Sequence, residues 1–373
     1  MSRKTKIAII TQPLRNNYGG ILQAFALQTI LIKHGYLVNT DNRHEKRNKI
    51  NDFFILPLKK IVLKYFFKRN VGKIFPQYNT KINDEIGTND FLKKHMNTFD
   101  LFQGRKTPLA KKIEQFDAFI VGSDQVWRPK YSPRISNYFF DFLVKYPNMK
   151  KIAYAASFGV DDWEFDENDT KKCKSLIKYF NRISVREDTG IILCQNYFDI
   201  TPELTLDPTL LLNKKAYCEL IESLQNPFKD KTIVAYILDK NQAKFNIIKS
   251  FAAKHKMQYK IIYANEPTVK KINIIEWLNH FKHAYYIITD SYHGLLFSII
   301  FEKNFYVFAN NSRGVSRMSS ILKLLGLENR LINENTKHVN INNDTIDYEK
   351  TLRLLSYARN KSINFLISAL DDH

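Results

Sequence analysis

Short apolar runs that break off into polar residues and resume as helix recur along this chain, and that repeat restricts the fold more than any other feature. The clearest runs from Ala284 to Ile288, β-branched and aromatic like a buried strand. It leads into Thr289-Asp290-Ser291-Tyr292-His293-Gly294 and then an unbroken apolar helix, Leu295 to Phe301. Lys6 to Thr11 leads in the same way into Asn16-Asn17-Tyr18-Gly19-Gly20 and a helix from Ile21 to Lys33. Phe116 to Val121 leads into Gly122-Ser123-Asp124-Gln125-Val126-Trp127, Lys151 to Ala156 into Ser157-Phe158-Gly159, and Arg182 to Val185 into Arg186-Glu187-Asp188. Later come a strand from Thr232 to Leu238, a helix from Gln242 to Lys254, a strand from Tyr259 to Ile262 and a helix near Ile272 to Phe281. Such alternation belongs to parallel sheets covered by helices, and 373 residues are enough for two cores. The boundary between two α/β units is expected near Asp207 to Lys214, where Asp207-Pro208 closes a strand-like segment.

In open α/β sheets the carboxyl ends of strands hold ligands, because the first N–H groups of the following helix are unpaired and favour anions. His293 falls at such a helix start, with Asp290 three residues earlier. A simpler reading stands beside this one: Asp290 or Ser291 caps the helix and His293 is a hydrogen-bonded core histidine. Gly19 and Gly20 permit close approach of a ligand or merely shape a turn. They form neither a dinucleotide fingerprint nor a P-loop.

The net charge of +20 requires a partner argument. No zinc finger, helix-turn-helix or aromatic RNA-binding motif is visible, and the basic residues are spread along the chain, so nucleic acid is not expected. Asp41 to Lys73 carries ten Lys or Arg against three acidic residues. A helix opened by Pro57 would put Leu58, Ile61, Val62, Tyr65 and Phe66 on one face, with Lys59, Lys60, Lys64 and Lys68 elsewhere around it, suiting an anionic membrane surface. A core helix whose lysines snorkel outward fits the same pattern. Without a signal peptide or an apolar run of spanning length, the expected location is the cytoplasm, with peripheral association at the inner face of the plasma membrane. Cys173, Cys194 and Cys218 read as reduced structural thiols, and no metal site is expected, since His280 and His283, three residues apart on a basic helix, are not accompanied by a nearby cysteine or carboxylate triad.

Taken together, Asn17-Tyr18-Gly19-Gly20 with Leu22-Gln23-Ala24, Gly122 to Trp127, Ser184-Val185-Arg186-Glu187, Leu206-Asp207-Pro208-Thr209-Leu210 and Thr289 to Gly294 resemble the polysaccharide pyruvyl transferase family. The resemblance implies two Rossmann-like domains in a GT-B-like arrangement with an interdomain cleft. Residues 1–210 would form the acceptor side, including a basic insertion at 41–112, and residues 211–345 the donor side; a C-terminal helix, 346–373, would pack back on the first domain. It implies transfer of enolpyruvyl from phosphoenolpyruvate to two sugar hydroxyls as a ketal, on a bacterial surface polysaccharide or its lipid-linked precursor, with no cofactor. The matching arginine and histidine, Arg186 and His293, are implied at the donor site. The family often has arginine two residues before that histidine, where this chain has Ser291. Gly294, Lys303, Arg313 and Arg317 join Arg186, Ser291 and His293 as expected donor contacts, because phosphoenolpyruvate needs several cations. His293, Asp290 and Asp124 are the expected acid–base groups. Asn16, Asn17, Tyr18, Gly19, Gly20, Ser123, Asp124, Gln125 and Trp127 are expected on the acceptor side. Two alternatives are a glycosyltransferase of the same fold using a sugar nucleotide and a non-catalytic membrane- or polyanion-binding protein.

Overall fold

A computed structural model describes residues 3–43, 78–132, 134–263, 272–309, 314–333 and 344–371. Seven strands form the first sheet: β1 (Lys6–Ile10), β2 (Leu37–Asp41), β3 (Thr98–Phe99), β4 (Ala118–Val121), β5 (Lys150–Ala156), β6 (Arg182–Val185) and β7 (Glu203–Leu204). Their spatial order is β3-β2-β1-β4-β5-β6-β7. The second sheet contains β8 (Thr232–Ile237), β9 (Gln258–Tyr263), β10 (Tyr286–Thr289), β11 (Asn304–Phe308) and β12 (Leu331–Ile332), ordered β12-β11-β10-β8-β9. Neighbouring strands in both sheets run parallel. Every residue of β4 and of β10 is buried, which is why these strands read as continuous apolar runs: helices cover both faces of each sheet.

Six of the helices shape or brace the ligand-binding end of these sheets: α1 (Tyr18–Lys33), α2 (Gln242–Lys254), α3 (Ile274–His283), α4 (Tyr292–Ile300), α5 (Ser316–Leu325) and α6 (Tyr348–Asp371). Their starts are written in the sequence. Asn17 caps α1 by accepting from the Gly20 amide, Asn273 and Glu276 form a capping box on α3, and Ser291 caps α4 through the Gly294 amide.

Strand order fixes where a ligand can sit. In the first sheet the order turns around between β1 and β4, and in the second between β8 and β10. Helices leave in opposite directions at such a point, and a crevice opens at the carboxyl ends of the strands. The two crevices face each other, so the molecule is GT-B-like, with two Rossmann-like domains and a cleft between them. The domains meet at several points: the Tyr18 hydroxyl donates to the Ile272 carbonyl, the Asp188 amide donates to Ser320 Oγ at 3.1 Å, and the Gly314 backbone lies against the Gly159 carbonyl.

Helix α6 straps the two halves together. Near its start the Tyr348 hydroxyl donates to the Ser298 carbonyl of α4, and further on Ser362 Oγ accepts from the Leu206 amide at 3.0 Å. At its end the Leu370 carbonyl accepts from Lys150 Nζ, beside β5. Leu355, Ala358, Ser362, Phe365, Leu366 and Ala369, spaced three and four apart, form its buried face. Burying Phe365 or Leu366 stabilises this docking by roughly 1.5–3 kcal/mol each. The expected basic helix with Leu58, Ile61, Phe66 and its lysines lies outside the described residues, as does Arg313. No helix among the described residues is long and apolar enough to cross a membrane.

Candidate active site

A cavity of about 350 Å³ fills the cleft where the two switch points meet. The loops after β1 and β4 supply one wall, with Gln12, Asn16, Asn17, Gly19, Asp124 and Gln125, and Tyr131 at 45% exposure. The other wall comes from the second domain: Leu238 after β8, Asp290 and Ser291 after β10, Tyr292 and His293 at the start of α4, Trp277 of α3 and Arg317 of α5.

At the junction of the walls His293 meets Asp207. Its Nε2 lies 3.7 Å from Asp207 Oδ2, and the opposite edge of the ring rests on Gly19, where a Cβ would come within 2.0 Å of Nδ1. Glycine at 19 is therefore a close-approach requirement: any side chain would displace the imidazole. Asp207 is completely enclosed. Burial alone would raise its pKa, but the His293 imidazole, the Arg186 guanidinium and the Thr209 amide outweigh it and hold the carboxyl well below its usual range. Arg186 Nη1 donates to Asp207 Oδ2 at 2.8 Å, while Asp124 Oδ1 at 3.5 Å and Glu187 Oε2 at 3.6 Å surround the same cation.

Tyr292 stands at the centre of the charges. The Arg186 and Arg317 guanidinium carbons lie 4.8 Å and 5.3 Å from its ring centroid. Burial and the nearby Asp207 charge push the phenol far above its ordinary pKa, so it remains protonated. Burial, followed by repulsion from Arg186, brings Arg317 down to about 10. Arg317 is thus charged at neutral pH in an enclosed setting beside a second guanidinium, and an anion in the cavity would stabilise it.

Several expected residues take other places. Asp290 lines the cavity, but its carboxylate accepts from the Leu238 amide at 2.6 Å, the Asp239 amide at 3.1 Å and Lys244 Nζ at 2.8 Å. It clamps the β8 loop to α2, and the histidine's carboxylate is Asp207 instead. The Arg186 side chain is 0% exposed and is not part of the cavity wall. Lys303 precedes β11 and so lies at the amino end of that strand, beside Lys214 and Glu302, away from the cleft. Trp127 is a core residue, stacked on Phe139 with its Nε1 donating to the Tyr138 carbonyl. Ser123 is buried, its Oγ donating to the Ala155 carbonyl, while Tyr18 and Gly20 belong to the first turn of α1 and do not line the cavity. Gly294 packs on Thr289, where a Cβ would come within 2.4 Å of Oγ1.

Sequence reasoning did not assign Asp207, Tyr292, Trp277, Tyr131, Gln12 or Met318, all of which line or support the cavity. For Asp207 a signal was present: an acidic residue before proline at a strand end. Trp277 had none. Its indole N–H is buried and has no hydrogen-bond partner among the described residues, although the residue lines the cavity.

The family model for polysaccharide pyruvyl transferase matches residues 17–312, a span that includes Asn17, Gly19, Asp124, Gln125 and Asp290 to His293 of this cavity but not Gln12, Asn16 or Arg317. The chain belongs to this family. Membership of the polysaccharide pyruvyl transferase family makes it a transferase. No curated protein matches it. Its overall shape is similar to solved structures of UDP-GlcNAc 2-epimerase from Methanocaldococcus jannaschii, in complex with UDP-GlcNAc and UDP (12% identity, 99% of this chain and 100% of the other, TM-score 0.47), and from Neisseria meningitidis, bound to UDP-GlcNAc (10%, 99% and 100%, TM-score 0.49). It is similar also to Arabidopsis thaliana UGT89C1 complexed with UDP (11%, 98% and 99%, TM-score 0.46).

Proposed function

We propose that this pyruvyl transferase family member moves the enolpyruvyl unit of phosphoenolpyruvate onto two hydroxyls of one sugar, closing a pyruvate ketal on a bacterial surface polysaccharide or its lipid-linked precursor. The observation that supports this best is the His293–Asp207 pair on the wall of a cavity that Arg317 also lines. Relatives often place an arginine where this chain has Ser291; in our reading Arg317 takes over that positive charge. With the N-terminus of α4 it binds the carboxylate and phosphate of the donor. The chain Arg186–Asp207–His293 positions the imidazole.

In this scheme His293 gives its proton to the methylene carbon of the donor. The cationic carbon left behind takes an oxygen of one sugar hydroxyl, whose proton passes to Asp124. The bond to phosphate breaks with its electron pair, the second hydroxyl attacks the same carbon, and its proton leaves with the phosphate. Asn16, Asn17 and Gln125 are assigned to the acceptor hydroxyls. The basic segment 41–73 is assigned to an anionic lipid surface where a lipid-linked acceptor resides.

Calorimetric titration with phosphoenolpyruvate tests the donor half. Arg317→Gln is expected to weaken binding by about 1.5–3 kcal/mol, the range for a charge-assisted hydrogen bond, while His293→Ala keeps donor affinity and loses turnover. Undiminished donor affinity in Arg317→Gln would remove that residue from the site.

A further inference from the structure

A second cavity, of about 630 Å³, lies at the other end of α4. Whereas His293 at the start of that helix faces the cleft, Ile300 at its end and Glu302 beyond it form one side of this space. Leu212, Lys214, Lys215 and Cys218 form another side, from the segment that joins the two domains, and Leu352, Leu355 and Arg359 of α6 complete it. The wall therefore combines an apolar floor with three cations against one carboxylate, and that carboxylate is already engaged by Lys214 Nζ at 2.9 Å.

Arg359 is the decisive group. Its Nε donates to the Leu210 carbonyl at 2.7 Å, which fixes the plane of the guanidinium. Among the described residues neither Nη nitrogen has a hydrogen-bond or ion-pair partner, and burial lowers the pKa of the group. The two Nη nitrogens are left open to solvent on the cavity wall, where an anion from outside the chain can replace water. This remaining fork of donors matches a carboxylate or phosphate. Lys303 stands beside Lys214 and is likewise lowered by burial and by that neighbour, so the positive potential extends past the lining residues.

We propose that this cavity binds an organic anion with an apolar body, its phosphate or carboxylate head on Arg359 and Lys215 and its chain against Leu212, Ile300, Leu352 and Leu355. The site is separate from the transfer cavity and does not depend on the reaction assigned there. Its walls nonetheless reach that cavity: Arg359 holds the Leu210 carbonyl, three residues after Asp207, and Ile300 ends the helix that begins at His293.

Cys218 provides the test, because Cys173 and Cys194 are buried and Cys218 alone of the three is partly exposed, on the cavity wall. The rate at which a soluble aromatic disulfide reagent modifies Cys218 is measured in the full chain with octyl phosphate below its micelle concentration, with inorganic phosphate, with octanol, and with vesicles containing an anionic lipid. Saturating octyl phosphate is expected to slow modification at least tenfold, with inorganic phosphate and octanol each far weaker. Vesicles protecting equally at matched accessible headgroup would identify the source as a membrane lipid, and protection by the soluble compound alone a free metabolite. Arg359→Gln should weaken protection on the order of tenfold or more. Since Arg359 also bonds the backbone, Leu352→Glu serves as the second variant: this partly exposed position tolerates glutamate, and its charge should repel the ligand. No protection by octyl phosphate, or full protection in both variants at wild-type concentration, would overturn the proposal.

Discussion

The charge on Asp207 is the single-residue feature on which the site depends most, because one carboxylate oxygen meets both the Arg186 guanidinium and the His293 imidazole. Asp207→Asn keeps the shape and removes the charge. Turnover is expected to fall about 10²-fold or more, the lower end of what positioned acid–base groups supply, with donor affinity nearly unchanged. Unfolding in urea should show a loss of roughly 3 kcal/mol or more, since Arg186 would be left with a weaker set of partners. Equal turnover in the variant would mean that His293 acts without Asp207. Trp277 makes the second residue-scale prediction. Its N–H is unpaired among the described residues and sealed from the cavity, so Trp277→Phe is expected to leave the acceptor KM within about twofold and to cost only packing of the larger ring, roughly 1–2 kcal/mol of stability. An acceptor KM raised by about tenfold or more would mean that the N–H reaches the substrate.

At the scale of elements, the loops that form the cavity are held by bonds that leave it free for substrate. Asn17 exemplifies this, its oxygen capping α1 while its Nδ2 donates to Asp124 Oδ2 at 3.1 Å. Asp290 does the same for the second domain by tying the end of β8 to Lys244 of α2. Removing it would leave Lys244 buried without its carboxylate, and the two loop amides without an acceptor. Asp290→Ala should therefore lower stability by about 3–5 kcal/mol, read as a fall in Tm, and any activity that survives at low temperature should show the wild-type pH profile. A changed profile would restore Asp290 to the acid–base chemistry. The sequence pattern that suggested a functional aspartate at 290 was real, but caps and clamps draw on the same residues as catalysis. Only the bonds to Leu238, Asp239 and Lys244 separate the two uses.

Across the whole molecule, what local pattern determines was legible and what domain docking determines was not. The strands, the helix cap at Ser291 and the polar strand ends follow from periodicity and turn chemistry, so the two α/β sheets and the position of His293 could be read directly, whereas the first helix starts at Tyr18, one turn before the Ile21 expected, because Asn17 caps it. Parallel sheets also have a direction, and that rule was available for Lys303: a residue before a strand lies at the end opposite a residue after one. The contact of His293 with Asp207 joins positions 86 residues apart through the fit of two domains, which no local pattern encodes. The burial of Arg186 and the core role of Trp127 depend on the same docking and layering.

The central claim is that the cleft joins phosphoenolpyruvate to two hydroxyls of one sugar. Purified protein incubated with phosphoenolpyruvate and a panel of free and lipid-linked sugars should release phosphate in step with an acceptor product heavier by one pyruvate ketal, and His293→Ala should abolish both. Release of a nucleoside diphosphate from sugar nucleotides by the same protein, with no phosphate from phosphoenolpyruvate on any acceptor, would contradict it.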